Sequence, residues 1–303
     1  RILSRFRAMS RLKDYENLLG GLSGGVLSTL ICHPMDLLKI RYSANEGSSF
    51  RPQYSSYLDA ARQITKAEGV RGLYQGLSPN LIGCALSWGA YLHIYDWMRE
   101  RVRSSVSATA ASPHLTNFAC AYASGASVMC FTNPIWLVKT RLCLQYESGV
   151  KKYDGMVDCM QKIVREEGAR GLYKGFVAGL LGASHGAAQM MIYTHLKERR
   201  ASQLGLERSA QLPLTDYFFF STLSKVLAVT LTYPYQVVRT RMQDHNAAYR
   251  GVWNTLSRTV HGEGVRGLYK GLLMANIRTL PSTVIVFVTY EKVKHAVRAL
   301  DKK

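Results

Sequence analysis

Charged side chains avoid long stretches of this chain, and the stretches recur in a regular order. Asp, Glu, Lys and Arg are absent from Leu18 to Met35, Leu77 to Tyr95, His114 to Val138 and Gly175 to Leu196. Two further stretches carry one cation each: Tyr217 to Val238 holds Lys225, and Gly271 to Tyr290 holds Arg278. A hydrocarbon core of about 30 Å is crossed by about 20 helical residues, so the pattern predicts six transmembrane helices. Gly, Ser and Thr are scattered through them, which suits helices packed closely around an aqueous cavity rather than bathed in lipid on every side. Six buried helices of a soluble α-domain are the alternative, but soluble helices rarely run this long without an exposed charged face.

The six stretches fall into three equal units. A prolyl motif reads Pro34-Met-Asp36-Leu-Leu-Lys39-Ile-Arg41, then Pro134-Ile-Trp136-Leu-Val-Lys139-Thr-Arg141, then Pro234-Tyr-Gln236-Val-Val-Arg239-Thr-Arg241, at a spacing of 100 residues. Each copy is followed by a second landmark: Glu68-Gly69-Val-Arg-Gly72-Leu-Tyr74-Gln-Gly76, Glu167-Gly168-Ala-Arg-Gly171-Leu-Tyr173-Lys-Gly175 and Glu263-Gly264-Val-Arg-Gly267-Leu-Tyr269-Lys-Gly271. A threefold repeat implies a threefold pseudosymmetric body, and an asymmetric task must be encoded where the copies disagree. The repeats are placed at 14–103, 113–200 and 213–300. Each reads as a long helix, a polar loop with a short amphipathic helix, and a second long helix; in repeat 1 these are Tyr15 to Tyr42, Tyr57 to Ala67 and Tyr74 to Val102. Ser104 to Pro113 and Ala201 to Pro213 read as linkers. Each prolyl residue removes a backbone hydrogen bond near one end of its helix, and three such bent helices would converge to close one mouth of a central cavity.

Composition narrows the partners. Mean hydropathy is only −0.07, so it is the distribution of charge that marks the membrane. The formal net charge is +19, which fits nucleic acid, anionic lipid or an anionic solute. No zinc spacing, base-reading basic helix or aromatic RNA motif is present, so nucleic acid is set aside. Six cysteines form no CxxC and do not recur between repeats, which argues against a disulfide framework or a metal site. Glycine-rich nucleotide loops and catalytic triads are absent too; neither an enzyme nor a resident cofactor is expected. The basic, acid-free run Arg1 to Lys13 is similar to an organellar presequence, with a juxtamembrane basic arm as the alternative.

The three copies of the prolyl motif resemble the signature of the mitochondrial carrier family over essentially the whole chain. The resemblance implies an all-α membrane protein of six transmembrane helices in three pseudo-threefold repeats, with short matrix-side amphipathic helices around a central cavity. It implies a solute carrier of the mitochondrial inner membrane, a functional monomer with both termini toward the intermembrane space. In that family the polar positions after Pro form a gate on the matrix side. Carried over, Asp36 would meet Lys139, Trp136 would face Arg239 and Gln236 would face Lys39, while Gln243 matches a glutamine that braces such a ring. One acid against three cations leaves this floor positive and favours an anionic solute. The cytosolic gate would comprise Tyr95, Asp96, Arg99, Tyr193, Lys197, Tyr290, Glu291 and Lys294, with Asp96 pairing Lys197, Glu291 pairing Arg99, and Thr194 able only to hydrogen-bond Lys294. Two rings that open in turn are the hardware of alternating access.

Symmetry breaking marks the expected solute site. Eleven residues before the first polar gate position stand Gly25, Gly125 and Lys225; the glycines read as parts of small-residue packing stripes, Gly21/Gly25 and Ala121/Gly125, whereas an amine at membrane depth is costly and usually functional. Seven residues past each Tyr-x-Gly glycine lie Gly83, Gly182 and Arg278, which fall at the family's substrate contact points. Two glycines there would leave room for a bulky solute, and Arg278 can fork onto phosphate or carboxylate. Ser87, Trp88, Tyr91, His185 and Gln189 could stack on or hydrogen-bond a ring system, with helix packing as the alternative for each. Gly76, Gly175 and Gly271, with Gly155 and Gly251 on the short helices, match the family's lipid boxes and imply cardiolipin; Tyr54-Ser-Ser56 departs from that pattern. Trp136, Pro79-Asn80, Leu86-Ser87-Trp88-Gly89, Ser184-His185-Gly186 and the run Thr232-Tyr233-Pro234-Tyr235-Gln236 resemble the folate and FAD branch, so the expected solute is folate (tetrahydrofolate) or FAD. Carriers of NAD or pyrimidine nucleotides share Trp136 and are the runner-up. A carrier-shaped receptor or scaffold that moves nothing is a third reading.

Overall fold

The computed structural model describes residues 2–46, 52, 54–105, 113–145, 152–205, 213–245, 249 and 251–301; most of both expected linkers lies outside them. The described residues are almost wholly helical, without a strand. Repeat 1 contributes α1 (Ile2–Ala44), α2 (Tyr57–Gly72) and α3 (Leu77–Ser105). Repeat 2 contributes α4 (Pro113–Cys143), α5 (Met156–Glu167), α6 (Phe176–Leu181) and α7 (Ala183–Gln203), and repeat 3 contributes α8 (Leu214–Gln243), α9 (Val252–Glu263) and α10 (Leu272–Asp301). One helical stretch, Val265–Arg298, is long and apolar enough to cross a membrane on composition alone.

Helix bounds differ from expectation for local reasons. The first helix begins at Ile2 rather than Tyr15, because the intervening Arg, Leu, Met and Lys are good helix formers and neither Gly nor Pro interrupts them. Pro34, Pro134 and Pro234 lie inside their helices, which continue through them. The Glu-Gly landmark breaks the short helices: α5 and α9 end at Gly168 and Gly264 and α2 is kinked at Gly69, with φ of 73°, 70° and 69° and ψ of about 180°, a backbone conformation that glycine adopts without strain.

The second long helix of repeat 2 is interrupted at Gly182, where backbone bonds tighten to three-residue spacing: Gly182 N–H donates to the Gly179 carbonyl at 2.8 Å and His185 N–H to the Gly182 carbonyl at 3.0 Å. Repeat 2 is one residue shorter there, with 18 residues from Gly175 to Tyr193 against 19 from Gly76 to Tyr95 and from Gly271 to Tyr290.

The long helices pack mainly across repeat boundaries: α3 along α4, α7 along α8, and α10 along α1, so that repeat 3 closes on repeat 1. On α1 the packing stripe is Gly20, Gly24 and Ser28. A Cβ at Gly24 would come within 2.9 Å of the Val286 carbonyl, and Ser28 Oγ lies 2.9 Å from Ser282 Oγ. Gly21, Gly25 and Gly125, expected in packing stripes, instead face open space. The stripe is displaced by one residue because α10 lies beside α1 rather than in front of it.

Candidate functional site

The prolyl ends of α1, α4 and α8 are tied together by a ring of buried arginines. Arg41 donates from Nε to the Cys143 carbonyl at 2.9 Å, Arg141 to the Gln243 carbonyl at 3.2 Å, and Arg241 to the Ser43 carbonyl at 3.1 Å. Each contact runs from one repeat to the next. The other arm of each guanidinium grips the carboxylate before the helix-breaking glycine: Arg41 with Glu68, Arg141 with Glu167 and Arg241 with Glu263, at 3.2, 2.5 and 2.6 Å. The three arginines are at most 2% exposed, so their charges must be matched in place. Burial works to raise Glu167, but hydrogen bonds from Arg141 and Lys174 outweigh it and hold the carboxyl down to about 2. The same balance, with Lys270 for Lys174, lowers Glu263. The residues preceding each proline add clamps within each repeat: His33 to the Gln75 carbonyl (2.8 Å), Asn133 Nδ2 to the Leu172 carbonyl (2.8 Å) and the Tyr233 hydroxyl to the Lys270 carbonyl (3.1 Å). Neither set was singled out from sequence for a role. The signal was present in their recurrence at 100-residue spacing; the carbonyl acceptors leave no trace in a sequence.

Two residues inward lies the expected gate, and its three sides differ. Asp36, only 7% exposed in its side chain, takes Lys139 at 3.6 Å and also Arg278 at 2.9 Å. Lys39 donates to Gln236 Oε1 at 2.7 Å. On the third side Trp136 does not cap Arg239: its ring lies under Lys139, 5.4 Å from Nζ to the centroid, because Lys139 is one helical turn away on the same helix. Arg239 lies across the bare backbone of Gly179, and Asn133 Oδ1 accepts from it at 3.5 Å. Gln243, matched to a bracing glutamine, links repeat 3 to repeat 2. It accepts from the Thr140 hydroxyl at 2.8 Å, and its backbone carbonyl takes Arg141.

Gly83 and Gly182 do not leave open volume in this conformation. A Cβ on Gly83 would meet Trp136 Cζ2 at 3.3 Å, and one on Gly182 would meet the Tyr235 ring and hydroxyl at 2.9 Å. The room expected for a solute is taken there by two aromatic rings.

A cavity of about 390 Å³ opens above this floor, lined by Ser87 and Tyr91 of α3, by Gly125, Val128, Met129, Thr132 and Trp136 of α4, and by Arg239 of α8. Ser87 Oγ is buried without a partner. His185 turns toward α8, its Nδ1 3.0 Å from the Thr232 hydroxyl. Neither Lys225 nor Arg278 lines that cavity. Gln189 is half-buried, and the Trp88 side chain lies outside the described residues.

The opposite end is not closed. Among the described residues no ion pair joins Asp96 to Lys197 or Glu291 to Arg99, and no hydrogen bond joins Thr194 to Lys294. Lys197 lies over the Tyr217 ring at 5.7 Å, Lys294 over Tyr290 at 5.4 Å, and Glu291 approaches only His295 at 4.0 Å. The helices α3, α7 and α10 that carry these residues pack on their neighbours α4, α8 and α1 rather than on one another, which keeps the expected partners apart. Tyr95 stacks on Tyr91 with ring centroids 6.0 Å apart, and Tyr193 is half-buried.

The Tyr-x-Gly glycines begin the second long helices pressed against the next repeat. A Cβ on Gly76 would lie 3.0 Å from the Lys139 carbonyl, on Gly175 3.2 Å from that of Arg239, and on Gly271 2.9 Å from that of Lys39. Gly155 and Gly251 start α5 and α9 with no side-chain cap. In repeat 1 Ser56 takes that place and caps α2 by accepting from the Asp59 N–H at 3.1 Å.

Comparison with known proteins identifies the family. The family model described as "Mitochondrial carrier protein" matches residues 10–106, 110–203 and 210–300. The chain is 38% identical over 294 residues to the chloroplastic folate transporter 1 of Arabidopsis thaliana, covering 92% of this chain and 94% of the relative. It is 32% identical over 301 residues to the mitochondrial FAD carrier protein of Saccharomyces cerevisiae (92% and 96%) and 33% identical over 282 residues to the mitochondrial nicotinamide adenine dinucleotide transporter 2 of Arabidopsis thaliana (90% and 76%). Three matched repeats, one turn of the prolyl motif in each, and full-length relatives of this kind make the chain a member of the mitochondrial carrier family.

Proposed function

We infer that this protein carries a large, ring-bearing anion, folate or FAD, across the mitochondrial inner membrane. Six membrane-spanning helices, α1, α3, α4, α6 with α7, α8 and α10, would surround the path. The observation that carries the reading is the cavity whose lining includes the aromatic side chains of Tyr91 and Trp136 together with Arg239. Rings stack on such faces for about 1 kcal/mol each beyond the area they bury, and guanidinium takes phosphate or carboxylate in a fork. Lys225 and Arg278 supply further positive charge. The prolyl end is the matrix gate, held shut here, and the Tyr95/Tyr193/Tyr290 end is the cytosolic gate, open here; transport alternates the two. Ion pairs that exchange protein partners for water are near balance, so neither state is a trap. The carrier acts as a monomer, and the glycine helix starts at 76, 155, 175, 251 and 271 are candidate cardiolipin contacts, since free N–H groups at a helix start favour phosphate.

Proteoliposomes loaded with radiolabelled tetrahydrofolate or FAD test this. Exchange is expected, with phosphate, malate and ADP competing poorly. Efficient exchange of those three, with neither folate nor flavin moved, would sink the solute assignment. Lys225→Ala and Arg278→Ala are each expected to abolish uptake in a protein that still folds. Two relatives are named as nicotinamide adenine dinucleotide transporters, at 33% and 34% identity; movement of NAD alone selects that second reading.

A further inference from the structure

The matrix gate has three sides and one carboxylate, Asp36. It holds Arg278, the contact-point residue of repeat 3, at 2.9 Å, and Lys139 at 3.6 Å. The same geometric relation, contact point of one repeat against the prolyl turn of the next, recurs twice more with different chemistry. Gly83 of repeat 1 receives the Trp136 ring of repeat 2, and Gly182 of repeat 2 receives Tyr235 of repeat 3. In both cases the glycine has no side chain and the facing residue is a large aromatic. An added methyl group would meet the Tyr235 ring at 2.9 Å, too close to fit without a shift, and the Trp136 ring at 3.3 Å, a tight contact shared with the Ile135 methyl at 3.2 Å. Glycine and aromatic are therefore matched parts: the notch exists in one repeat and its filler in the next.

We propose that Trp136 and Tyr235 are aromatic plugs that seat on the bare backbone of Gly83 and Gly182. At the boundary of repeats 2 and 3 Tyr235 does the work that Asp36 with Arg278 does at the boundary of repeats 3 and 1, and at the boundary of repeats 1 and 2 Trp136 adds to the Asp36–Lys139 pair. The proposal rests on the alternating-access reading and adds to it a role for Tyr235, a residue outside the expected polar ring. Ring-in-notch contact is short-ranged and apolar, so its share of the closure holds by packing and is insensitive to ionic strength. Opening vacates both notches at the contact points, so the surface released to a solute is flat backbone flanked by the withdrawn rings. The charged contact point, Arg278, is released on the third side from Asp36. A solute that carries a flat ring at one end and an anionic group at the other can occupy a vacated notch and Arg278 together, and so compete with closure on both kinds of side.

The test is a double-mutant cycle read by side-specific labelling. A single cysteine is placed at Thr132, one turn above Trp136 on the cavity wall, in the full chain with its native cysteines changed to serine. A membrane-impermeant maleimide is then applied in proteoliposomes from the prolyl side, without solute. Gly83→Ala and Gly182→Ala are each expected to raise labelling about fivefold, and to add less than twofold once the facing ring is removed by Trp136→Ala or Tyr235→Ala, because contacting residues couple and independent ones add. Gly89→Ala and Gly186→Ala, on the same two long stretches but with open space at the added Cβ, are the controls and should change nothing. The cycle is needed at Gly182 because its Cβ would also lie 2.8 Å from the Gly179 carbonyl. An equal effect with and without the ring, or no effect at all, overturns the plugs. If the glycine variants fail to fold, Trp136→Ala and Tyr235→Ala still decide, since they remove bulk and must raise labelling. Saturating tetrahydrofolate or FAD on the unmutated gate separates the two readings. If solute changes labelling there while the plug variants do not, only the plugs fail; if solute never changes it, alternating access of these solutes fails.

Discussion

Two rings of cations lie two residues apart on the same three helices, and they have diverged in opposite directions. The outer ring, Arg41, Arg141 and Arg241, repeats its partners almost identically: a carboxylate within the repeat and a carbonyl from the next one. The inner ring, Lys39, Lys139 and Arg239, meets a glutamine, an aspartate and no carboxylate respectively. The carboxylate contacts of the outer ring lie within single repeats and keep their threefold form, whereas the side-chain contacts of the inner ring run between repeats and differ on every side. The difference also separates two kinds of energy. A buried guanidinium–carboxylate pair is lost at high cost when one member is removed, while a gate has to stay close to balance.

The strongest way to break the comparison is Arg141→Ala. Glu167 would be left without its main partner and the Gln243 carbonyl without a donor, and the expected loss is about 3–5 kcal/mol, seen as a large fall in melting temperature in detergent or failure to accumulate. Arg41→Ala and Arg241→Ala should fall in the same range; one of the three behaving as neutral would end the claim that the outer ring is a uniform clamp.

A smaller effect comes from making the inner ring more like the outer. Gln236→Glu places a carboxylate where Lys39 now donates to an amide oxygen at 2.7 Å. The added attraction, about 1–2 kcal/mol for a charge-assisted bond over a neutral one, should hold the matrix gate shut, slow exchange about tenfold and make the rate recover with salt. An unchanged rate with unchanged labelling from either side would remove Gln236 from the gate.

The smallest expected effect is the acid response of the outer ring. Glu167 is held at about 2 in the folded protein, below its unfolded value of about 4.3. A depressed carboxyl contributes stability that is fully present above the unfolded value and lost as pH falls through the folded one. Melting temperature should therefore drop between pH 4.5 and 2, and Glu167→Gln should flatten that drop while lowering stability near neutral pH by about 1–2 kcal/mol. A profile that is the same for both proteins would show that Glu167 contributes nothing by its charge.

The repeat, the helical content and the location of both rings are legible in the sequence because they recur, and recurrence needs no partner to be recognised. Asp36 with Lys139 and Gln236 with Lys39 were implied by the resemblance of the prolyl motif to the carrier family's gate, and each is a side chain facing a side chain. Trp136 was aimed at Arg239 by the same rule, yet a ring also answers to what lies one turn along its own helix, and Lys139 takes it. Gly83 and Gly182 were read as vacant volume because a sequence shows a missing side chain but not the neighbour that fills the gap. Gln243 was matched to a bracing glutamine, and its partner, the buried Thr140 hydroxyl of the neighbouring repeat, could not be read from the sequence. The cytosolic pairs depend on which end is closed, and no pattern of residues fixes that.

The tightened turn at Gly182 gives the second long helix of repeat 2 two counting frames. Deleting one residue from an α-helix would shorten it by about 1.5 Å and rotate everything beyond by about 100°, turning His185 and Gln189 away from the axis. Each residue wound at three-residue spacing advances about 0.5 Å further and about 20° more than an α-helical one, so a single tight turn recovers the lost length and a good part of the lost angle. Positions before Gly182 are therefore equivalent to those of the other repeats when counted forward from Gly175, and positions after it when counted backward from Tyr193. By the second count His185 corresponds to Ser87 and Ser282, and Gln189 to Tyr91 and Val286. The protein thus acquires an imidazole and an amide at levels where its sister helices carry a hydroxyl, a phenol and an aliphatic chain. The phase shift in the winding is what keeps these levels in step across the three repeats, so that a shorter helix can still present a different side chain at the same height.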